Sequence, residues 1–161
     1  MINHEQIRKV IVKGLKEYLG CPVVKSNQNA HPPKYPYIQY TVINPKSQNN
    51  GTFAEYDNGI AAKPHTQTWS ITALSDDDME SVTLADKAHA YLDYVGTTYL
   101  NDNDVIIQSV TGITNRDNVI TVGYEYKNGF DCFVYCLDEV ESLTETGETI
   151  DEYAINGEEI T

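Results

Sequence analysis

The sequence predicts an α+β fold: a mostly antiparallel or mixed sheet of about five strands, with two helices packed on one face. Three observations predict it. Apolar residues recur at helical spacing over residues 3–20 and again over 75–96. Residues 66–73 alternate between two faces, as a strand does, and run directly into the second helical stretch. Short alternating stretches follow residue 103, so the order is helix, strand, strand, long loop, strand, helix and three strands.

The first predicted helix begins at Asn3 and ends at Gly20. Asn3 is a favoured N-cap, and Gln6 stands three residues later, as in a capping box. Gly20 suits the left-handed position after a helix, and Pro22 prevents the helix from resuming. One stripe carries the apolar side chains expected to face the core: Ile7, Val10, Ile11, Leu15, Tyr18 and Leu19.

The segment after this helix predicts two strands and two loops. Val23–Ser26 is typical of a short edge strand, and Tyr37–Ile43 of a longer one. Asn27–Pro36 contains three prolines and no period, which indicates a loop. Asn44–Pro64 contains several turn signals and predicts a second, long loop. Its apolar residues would also suit a small extended hairpin or a contact with a partner.

A strand over Thr66–Ala73 leads into a predicted helix that begins at Ser75 and ends at Gly96. Ser75 and Asp78 have the spacing of a capping box, and the acids after Ser75 suit the positive end of the helix dipole. Gly96 is expected to adopt the left-handed conformation that ends a helix. The predicted buried stripe consists of Val82, Ala85, His89 and Leu92, with Ala88 and Val95 beside it.

The C-terminal half predicts three strands. Asp104–Ile113 is the first, and a turn over Thr114–Asn118 leads to the second, Val119–Tyr126. Lys127-Asn128-Gly129 predicts a reversal, because Asn-Gly is the strongest short hairpin signal. Phe130–Leu137 is then the returning strand, and both of its faces are largely apolar. It is therefore predicted to be central and covered on both sides.

Charge divides the chain near residue 137. The net charge is −13, and residues 138–161 hold nine acidic residues and no Lys or Arg. Subtracting those nine negative charges from −13 leaves −4 for residues 1–137. We therefore expect a single α+β domain over residues 1–137 and an acidic C-terminal extension over 138–161. Specific binding of nucleic acid is disfavoured, because it requires cations that neutralise phosphates.

Two further features bear on where the protein works. No run approaches the ~18 apolar residues of a membrane span, and charged residues interrupt the N-terminus where a signal peptide would be apolar. An intracellular product is therefore expected. The cysteines are odd in number (Cys21, Cys132 and Cys136), which predicts free thiols in the core rather than a disulfide framework.

The chain carries no motif for catalysis, for a cofactor or for a metal. The four histidines lack H-E-x-x-H or metal-ligand spacing. Asp76–Asp78 is explained by helix capping, and Asn101–Asp104 lacks the glycine and glutamate that complete a calcium loop. His89 lies on the predicted buried stripe, which favours packing over catalysis. The sequence thus predicts no enzyme, no cofactor and no metal site, and favours assembly or binding by elimination.

An ordered set of short segments spans about residues 5–137. It consists of the helix before Gly20, Asn27-Gln28 with Pro32 and Pro33, Pro36-Tyr37-Ile38-Gln39-Tyr40, Trp69-Ser70-Ile71-Thr72-Ala73 entering the helix from Ser75 to Tyr94, Asn115-Arg116-Asp117, Tyr124-Glu125-Tyr126-Lys127 and Gly129-Phe130-Asp131. In its order and spacing, this set resembles the neck or tail terminator proteins of phages and prophages.

The resemblance implies a structural virion protein without enzymatic activity. Such a subunit would form a ring, a hexamer in similar proteins, that caps the tail tube and joins it to the head. Its partners would be further copies of itself, the tail-tube protein and a head completion or connector protein. DNA would pass through the lumen without specific binding, and the acidic charge would favour such passage. The ring would be assembled in the host cytoplasm and reside in the neck or tail of the virion.

Six residues are the candidates for contacts with other subunits or partners. They are apolar or aromatic residues in predicted loops, together with an arginine in the 114–118 turn: Tyr35, Tyr37, Phe53, Tyr56, Ile60 and Arg116. Arg116 could pair with an acid of a neighbour or simply be solvated. The alternative function is a small intracellular enzyme or ligand-binding domain with a site under the 44–64 loop.

Overall fold

The computed structural model describes residues 1–27, 30–47, 53–120 and 123–141, and for 118–120 and 123 only the backbone. The helices are α1 (His4–Leu19), α2 (Asp78–Ala90) and α3 (Thr97–Asp102), with a π-helical turn over Tyr91–Val95 between the last two. The strands are β1 (Val23–Lys25), β2 (Tyr37–Ser47), β3 (Glu55–Asp57), β4 (Ile60–Ser75), β5 (Ile106–Val110), β6 (Thr114–Asn115), β7 (Asn118–Ile120) and β8 (Gly123–Glu141).

The main path of the sheet has the strand order β1-β2-β4-β8-β5. β1 and β2 are parallel, and the other pairs on this path are antiparallel. The long central pair, β4 and β8, stays in register from Ile60 opposite Glu141 to Ser75 opposite Tyr126. β3 adds to β4, and β6 and β7 add to β8. The predicted α+β fold with a mixed sheet is therefore confirmed.

The core lies between one face of this sheet and the helices. Trp69 and Ile71 of β4 and Phe130 and Val134 of β8 are buried there, in one cluster with Leu15 of α1. The predicted alternation of residues 66–73 is confirmed, since the odd-numbered residues are buried and the even-numbered ones are half-exposed. The apolar transfer of these side chains, at about 25 cal/mol per Å², is the main force that holds the helices on the sheet.

The cysteines behave as predicted in this core. Cys132 and Cys136 are free and buried, and Cys21 is free and half-buried. Burial raises the pKa of Cys132 to about 12, so its thiol stays protonated and unreactive at neutral pH.

The first helix is confirmed in detail. The Asn3 side chain accepts a hydrogen bond from the Gln6 backbone N–H at 3.1 Å. Gly20 has a φ of 68° and ends the helix in the left-handed conformation. The predicted stripe is buried from Ile7 to Leu15, whereas Tyr18 at its end is 47% exposed. The last turn thus extends beyond the edge of the core.

The start of α2 differs from the prediction, because the N-cap is Asp77 and not Ser75. The Asp77 carboxylate accepts from the backbone N–H of Glu80 at 3.0 Å. Ser75 is the last residue of β4, where its hydroxyl accepts from the Asp77 N–H and donates to the Glu80 carboxylate. Ser75 still takes part in the start of the helix through its hydroxyl, but β4 pairs with β8 as far as Ser75, so the N-cap lies two residues later than predicted.

The buried face of α2 is also rotated relative to the predicted stripe. Its members are Ser81, Leu84, Ala85 and Ala88. Val82 and Val95, which were predicted to be in or beside the stripe, are 36% and 44% exposed. The pattern predicted the wrong face because α2 has few large apolar residues to mark the buried side. A small side chain, that of Ser81, faces the sheet instead. Ser81 donates to the Ala73 carbonyl at 3.0 Å.

Gly96 does not end a helix in the left-handed conformation, since its φ is −90°. The chain passes instead through the π-helical turn into α3. A Cβ on Gly96 would lie 2.5 Å from the Tyr91 ring, so glycine is needed here for the close approach of that ring. Tyr91 is itself buried beneath α1.

Most of the predicted long loop at 44–64 is strand. β2 continues to Ser47 and β4 begins at Ile60, and β3 pairs with β4 through a two-residue turn. Asn58 and Gly59 form that turn with φ values of 49° and 80°, which matches the primed turns that suit hairpin twist. The small hairpin named as an option for this segment is therefore present. Residues 48–52 lie outside the described residues.

The reversal predicted at Lys127-Asn128-Gly129 is wrong. β8 runs straight through it, with Asn128 opposite Ala73 and Gly129 opposite Thr72. The Asn128 side chain is buried and donates to the Ser81 hydroxyl at 3.0 Å. A Cβ on Gly129 would lie 2.5 Å from the Ile71 carbonyl oxygen. Asn-Gly here serves packing under α2 and against β4, and β7 and β8 are paired instead around residues 121–122, which are not described.

Smaller boundary differences follow from the same ladder. The predicted strand Asp104–Ile113 is reduced to β5, and the predicted turn at 114–118 contributes the two residues of β6, which pair with β8. β8 continues to Glu141, so residues 138–141 of the predicted extension are paired with β4. Residues 142–161 lie outside the described residues, and the division of the chain into domain and extension stays a prediction. Among the helices of the described part, none has the length and apolar character to cross a membrane.

Candidate functional site

Within the described part of the chain, the face of the sheet opposite the helices carries apolar side chains with no helix over them. On β8, Phe133 and Tyr135 are half-buried and Leu137 is 44% exposed. Ile106 of β5 lies beside Tyr135 and is 48% exposed. We call these four residues the open-face patch. β8 is therefore central, as predicted, but among the described elements helices cover only one of its faces.

One end of the sheet extends as a three-stranded ribbon made of β3, residues 60–64 of β4 and residues 137–141 of β8. We call this ribbon the arm. Its strands place Tyr56, Ala61 and Val140 in one row on one face. Tyr56 is 61% exposed and Val140 is 45% exposed. The other face carries Ile60, which is 44% exposed. Both faces of the arm thus present apolar residues to solvent.

Acidic residues frame the apolar centre of the arm. Glu55 and Glu139 flank Ala62, and Asp57 and Glu141 flank Ile60, and all four acids are exposed. A groove of about 430 Å³ runs from the Ile60 face of the arm to the open-face patch, with Leu137 and Tyr135 in its wall. The arm and the patch are therefore continuous, apolar in the centre and negative at the rim.

Ion pairs fix the base of the arm to the rest of the sheet. The Lys46 ammonium at the end of β2 lies 2.5 Å from the Asp138 carboxylate, and the N-terminal amine lies 3.7 Å from the same carboxylate. The amine also donates to the Glu139 carbonyl. The hydrogen bond from Lys46 is the main cause that lowers the pKa of Asp138. The start of α1 is thus held beside the last residues of β8.

Arg116 lies on the open face, where its guanidinium is held by three side chains. One nitrogen donates to the Ser70 hydroxyl at 2.7 Å and to the Thr72 hydroxyl at 3.1 Å. Another donates to the Asp131 carboxylate at 3.1 Å. The arginine is neither simply solvated nor free to turn towards a neighbour. Its side chain is 28% exposed, so part of the guanidinium still faces solvent.

Tyr35 and Tyr37 lie at the other end of the sheet. Their rings stack with centroids 5.8 Å apart, and the Tyr35 hydroxyl donates to the Glu125 carboxylate. That hydrogen bond is the main cause that raises the pKa of Tyr35 to about 12. Tyr35 is 40% exposed and Tyr37 only 5%, so Tyr37 supports the ring above it and offers little surface of its own.

The structure divides the six predicted contact residues into three places. Phe53, which is 86% exposed, lies two residues before the start of β3 and joins Tyr56 and Ile60 at the arm. Tyr35 and Tyr37 mark the opposite end, and Arg116 lies between. Ile60 and Leu74 are fourteen residues apart on β4, so the ends are separated by roughly 45 Å at ~3.3 Å per residue. The contact roles of the six residues stay predictions.

Sequence reasoning missed the open-face patch and Val140. The signal was present, because Phe130–Leu137 is apolar on both faces. That pattern predicts a strand covered on both sides. An apolar second face without a cover inside the subunit carries the same alternating pattern, so the sequence does not distinguish the two cases.

The histidine predicted to pack does so. His89 is half-buried, its ring nitrogen is 2.9 Å from the Thr111 carbonyl, and it contacts the Phe130 ring edge-on at 5.1 Å. Within residues 1–27, 30–47, 53–120 and 123–141, no three His, Cys, Asp or Glu side chains are grouped so that they could hold a metal ion.

Comparisons with known proteins place the chain. A family model described as phage neck terminator protein matches residues 9–161. No curated protein matches the chain. A solved structure that carries no functional name matches with a TM-score of 0.49 and 15% identity, over 83% of this chain and 94% of that one. That structural likeness is too weak to support an argument, whereas the family model covers nearly the whole sequence. The chain therefore belongs to the phage neck terminator protein family and is a structural protein of the phage neck.

Proposed function

We propose that this neck protein assembles into a ring, a hexamer, on the end of the tail tube. The ring caps the tube, joins it to the head completion or connector protein, and lets DNA pass through its lumen. It is assembled in the host cytoplasm and has no enzymatic activity. The observation that carries the proposal is the continuous apolar surface formed by the open-face patch and the arm.

The open-face patch supports contact between subunits. Large exposed apolar patches on a folded subunit mark sites of association, because their burial removes apolar surface from water. Leu137 and Ile106 are exposed by nearly half, and Phe133 and Tyr135 lie next to them at the centre of the sheet. Tyrosine and phenylalanine are enriched in protein interfaces, and the acidic rim around the patch would exclude wrong partners by charge.

The arm supports a ring rather than a two-fold dimer. It projects from one end of the sheet and is apolar on both faces, through Tyr56 and Val140 on one and Ile60 on the other. Its outer strand, β3, has a backbone edge that a further strand could extend. When an arm of one subunit packs on the body of the next, the contact is head-to-tail, and such contacts close into rings when the rotation allows.

The charge supports passage of DNA without specific binding. The chain has a net charge of −13, and the arm carries four exposed acids. A lumen lined with such groups repels the phosphates of DNA. Binding driven by the release of DNA counterions would not occur there, because it requires cations of the protein to replace them. A lumen that proved basic in the assembled ring would contradict this part of the proposal.

The two ends of the sheet provide separate docking surfaces. In the proposal, Phe53, Tyr56 and Ile60 contact a neighbouring subunit, and Tyr35, with Tyr37 beneath it, lies on a rim that meets the tube or the head. Arg116, fixed by Ser70, Thr72 and Asp131, presents a pre-oriented cation to an acid of a partner. The alternative function, an enzyme or ligand-binding domain with a site under the 44–64 segment, stays a prediction.

The experiment is complementation of a phage that lacks this gene, with Leu137→Asp compared with Val95→Asp. Both residues are 44% exposed, but Val95 lies in the π-helical turn, on the helix side of the sheet. We expect both proteins to fold by circular dichroism. Leu137→Asp should yield heads and tails that are not joined, or tails of uneven length, in electron micrographs, whereas Val95→Asp should give intact virions. Normal virions with Leu137→Asp would overturn the proposed surface.

A further inference from the structure

The outer face of α1 carries a line of cations in a protein that is otherwise acidic. Lys9, Lys13 and Lys16 follow one another at spacings of four and three residues, so they project from the same side of the helix. All three are exposed, and this side is opposite the buried stripe that contains Val10 and Leu15. We call these three lysines the α1 ridge.

The ridge has no anionic partner within the described part of the chain. On the same helix, Glu5 pairs with Arg8 at 3.3 Å, and Glu17 stands four residues after Lys13. Among the described residues, no ion pair joins either acid, or any other, to Lys9, Lys13 or Lys16. Like charges that stand three or four residues apart on one helix face repel one another. An anionic segment over the ridge would relieve that repulsion.

The chain itself contains a segment of the required charge, residues 142–161. It holds six carboxylates and no Lys or Arg: Glu145, Glu148, Asp151, Glu152, Glu158 and Glu159. Apolar residues stand between them, among them Ile150, Tyr153 and Ile155. Such a segment could place its acids on the lysines and its apolar side chains on the lysine stems, which are themselves apolar.

The structure also brings the start of this segment to the start of the ridge. The N-terminal amine donates to the Glu139 carbonyl, so α1 begins beside the residues at which β8 ends. From there to Lys16 is roughly 25 Å along the helix. Residues 142–161 can span up to roughly 65 Å when extended. The segment therefore reaches the whole ridge without leaving its own subunit.

From this juxtaposition we propose that the α1 ridge is the docking surface for the acidic C-terminal segment, residues 142–161, of the same subunit. The contact is held by charge, so it is released by salt. It does not depend on ring formation, and it would leave the open-face patch and the arm free for assembly. Nucleic acid is the less suitable occupant, because three lysines neutralise few phosphates and the adjoining segment would compete for them.

The test is nuclear magnetic resonance on the full chain labelled with 15N, with the 15N–1H NOE of residues 142–161 as the readout. The variant is Lys9→Gln/Lys13→Gln/Lys16→Gln, and the matched control is Lys25→Gln/Lys34→Gln/Lys87→Gln, which removes the same charge from other exposed lysines. We expect the ridge variant to lower the NOE to the level of the wild-type protein in about 1 M NaCl, where the screening length is about 3 Å. The control variant should match the wild type in low salt.

Four outcomes would overturn the proposal. The NOE of the segment is already low in the wild type, or it falls equally in both variants. It depends on protein concentration, which would assign the segment to a neighbouring copy. A short DNA duplex shifts the α1 amides in the same way whether or not the six carboxylates have been changed to amides, which would make the ridge a nucleic-acid site. None of these results bears on the complementation test, so the two proposals fail independently.

Discussion

Replacing Asn128 with aspartate distinguishes a continuous β8 from a chain that reverses at Asn128-Gly129. In a tight turn Asp-Gly is as suitable as Asn-Gly, so the change would cost little. In the structure Asn128 is 7% exposed and its amide donates to the Ser81 hydroxyl, which is fully buried and already donates to the Ala73 carbonyl. Aspartate would bring an acceptor without a donor into this position.

The expected loss follows from that geometry. A buried polar group left without its partner costs about 1–3 kcal/mol, and more when it is charged. We expect the free energy of unfolding to fall by about 3 kcal/mol, since a carboxylate is the worse case. With a urea dependence of about 2 kcal/mol per M for a small protein, the midpoint of unfolding should fall by about 1.5 M.

The assay is equilibrium unfolding in urea, followed by the fluorescence of Trp69. The control is Asn44→Asp, the same chemical change at an exposed strand position, where the side-chain oxygen accepts from the Lys46 N–H and a carboxylate can do the same. The control midpoint should stay within the error of the wild type. A fall of less than about 0.5 kcal/mol for Asn128→Asp would refute the continuous strand.

Three further results are expected. Gly129→Ala should lower the free energy of unfolding by about 1–3 kcal/mol, because the new methyl would lie 2.5 Å from a backbone oxygen of β4. Gly112→Ala is the control and should change the stability little, because no atom beyond its chain neighbours lies within 4 Å of the added methyl. Equal urea midpoints for the two variants would contradict the close approach at Gly129. The pKa of Tyr35, about 12, should fall towards its ordinary value in Glu125→Ala, which removes the acceptor, as measured by the 13C shift of the ring. No change would show that the hydrogen bond is not the cause of the raised pKa. Ala85→Asp should abolish folding, since Ala85 is 1% exposed, and a soluble protein with native circular dichroism would show that α2 is not packed on the sheet.

Local signals were sufficient for the elements that depend on a few neighbouring residues. The cap at Asn3 and the end at Gly20 were predicted because a cap forms within one helical turn. The alternation of β4 was predicted because one face of a half-buried strand must be apolar. The packing of His89 also followed from the pattern of one helix, and the free cysteines followed from their odd number.

Contacts between distant segments decided the rest. Asn128-Gly129 has the local preference of a turn, but pairing along β4 and the hydrogen bond to Ser81 keep it in a strand. Gly96 is needed for the ring of Tyr91, and a sequence does not reveal which side chain approaches a glycine. The open face of β8 shows the same contrast between local pattern and distant packing. The order and spacing of residues were sufficient to predict the α+β fold, the charge of each segment and the apolar second face of β8. Which of the two faces is covered depends on how distant elements pack, because the chain after β4 places the described helices on the other side of the sheet.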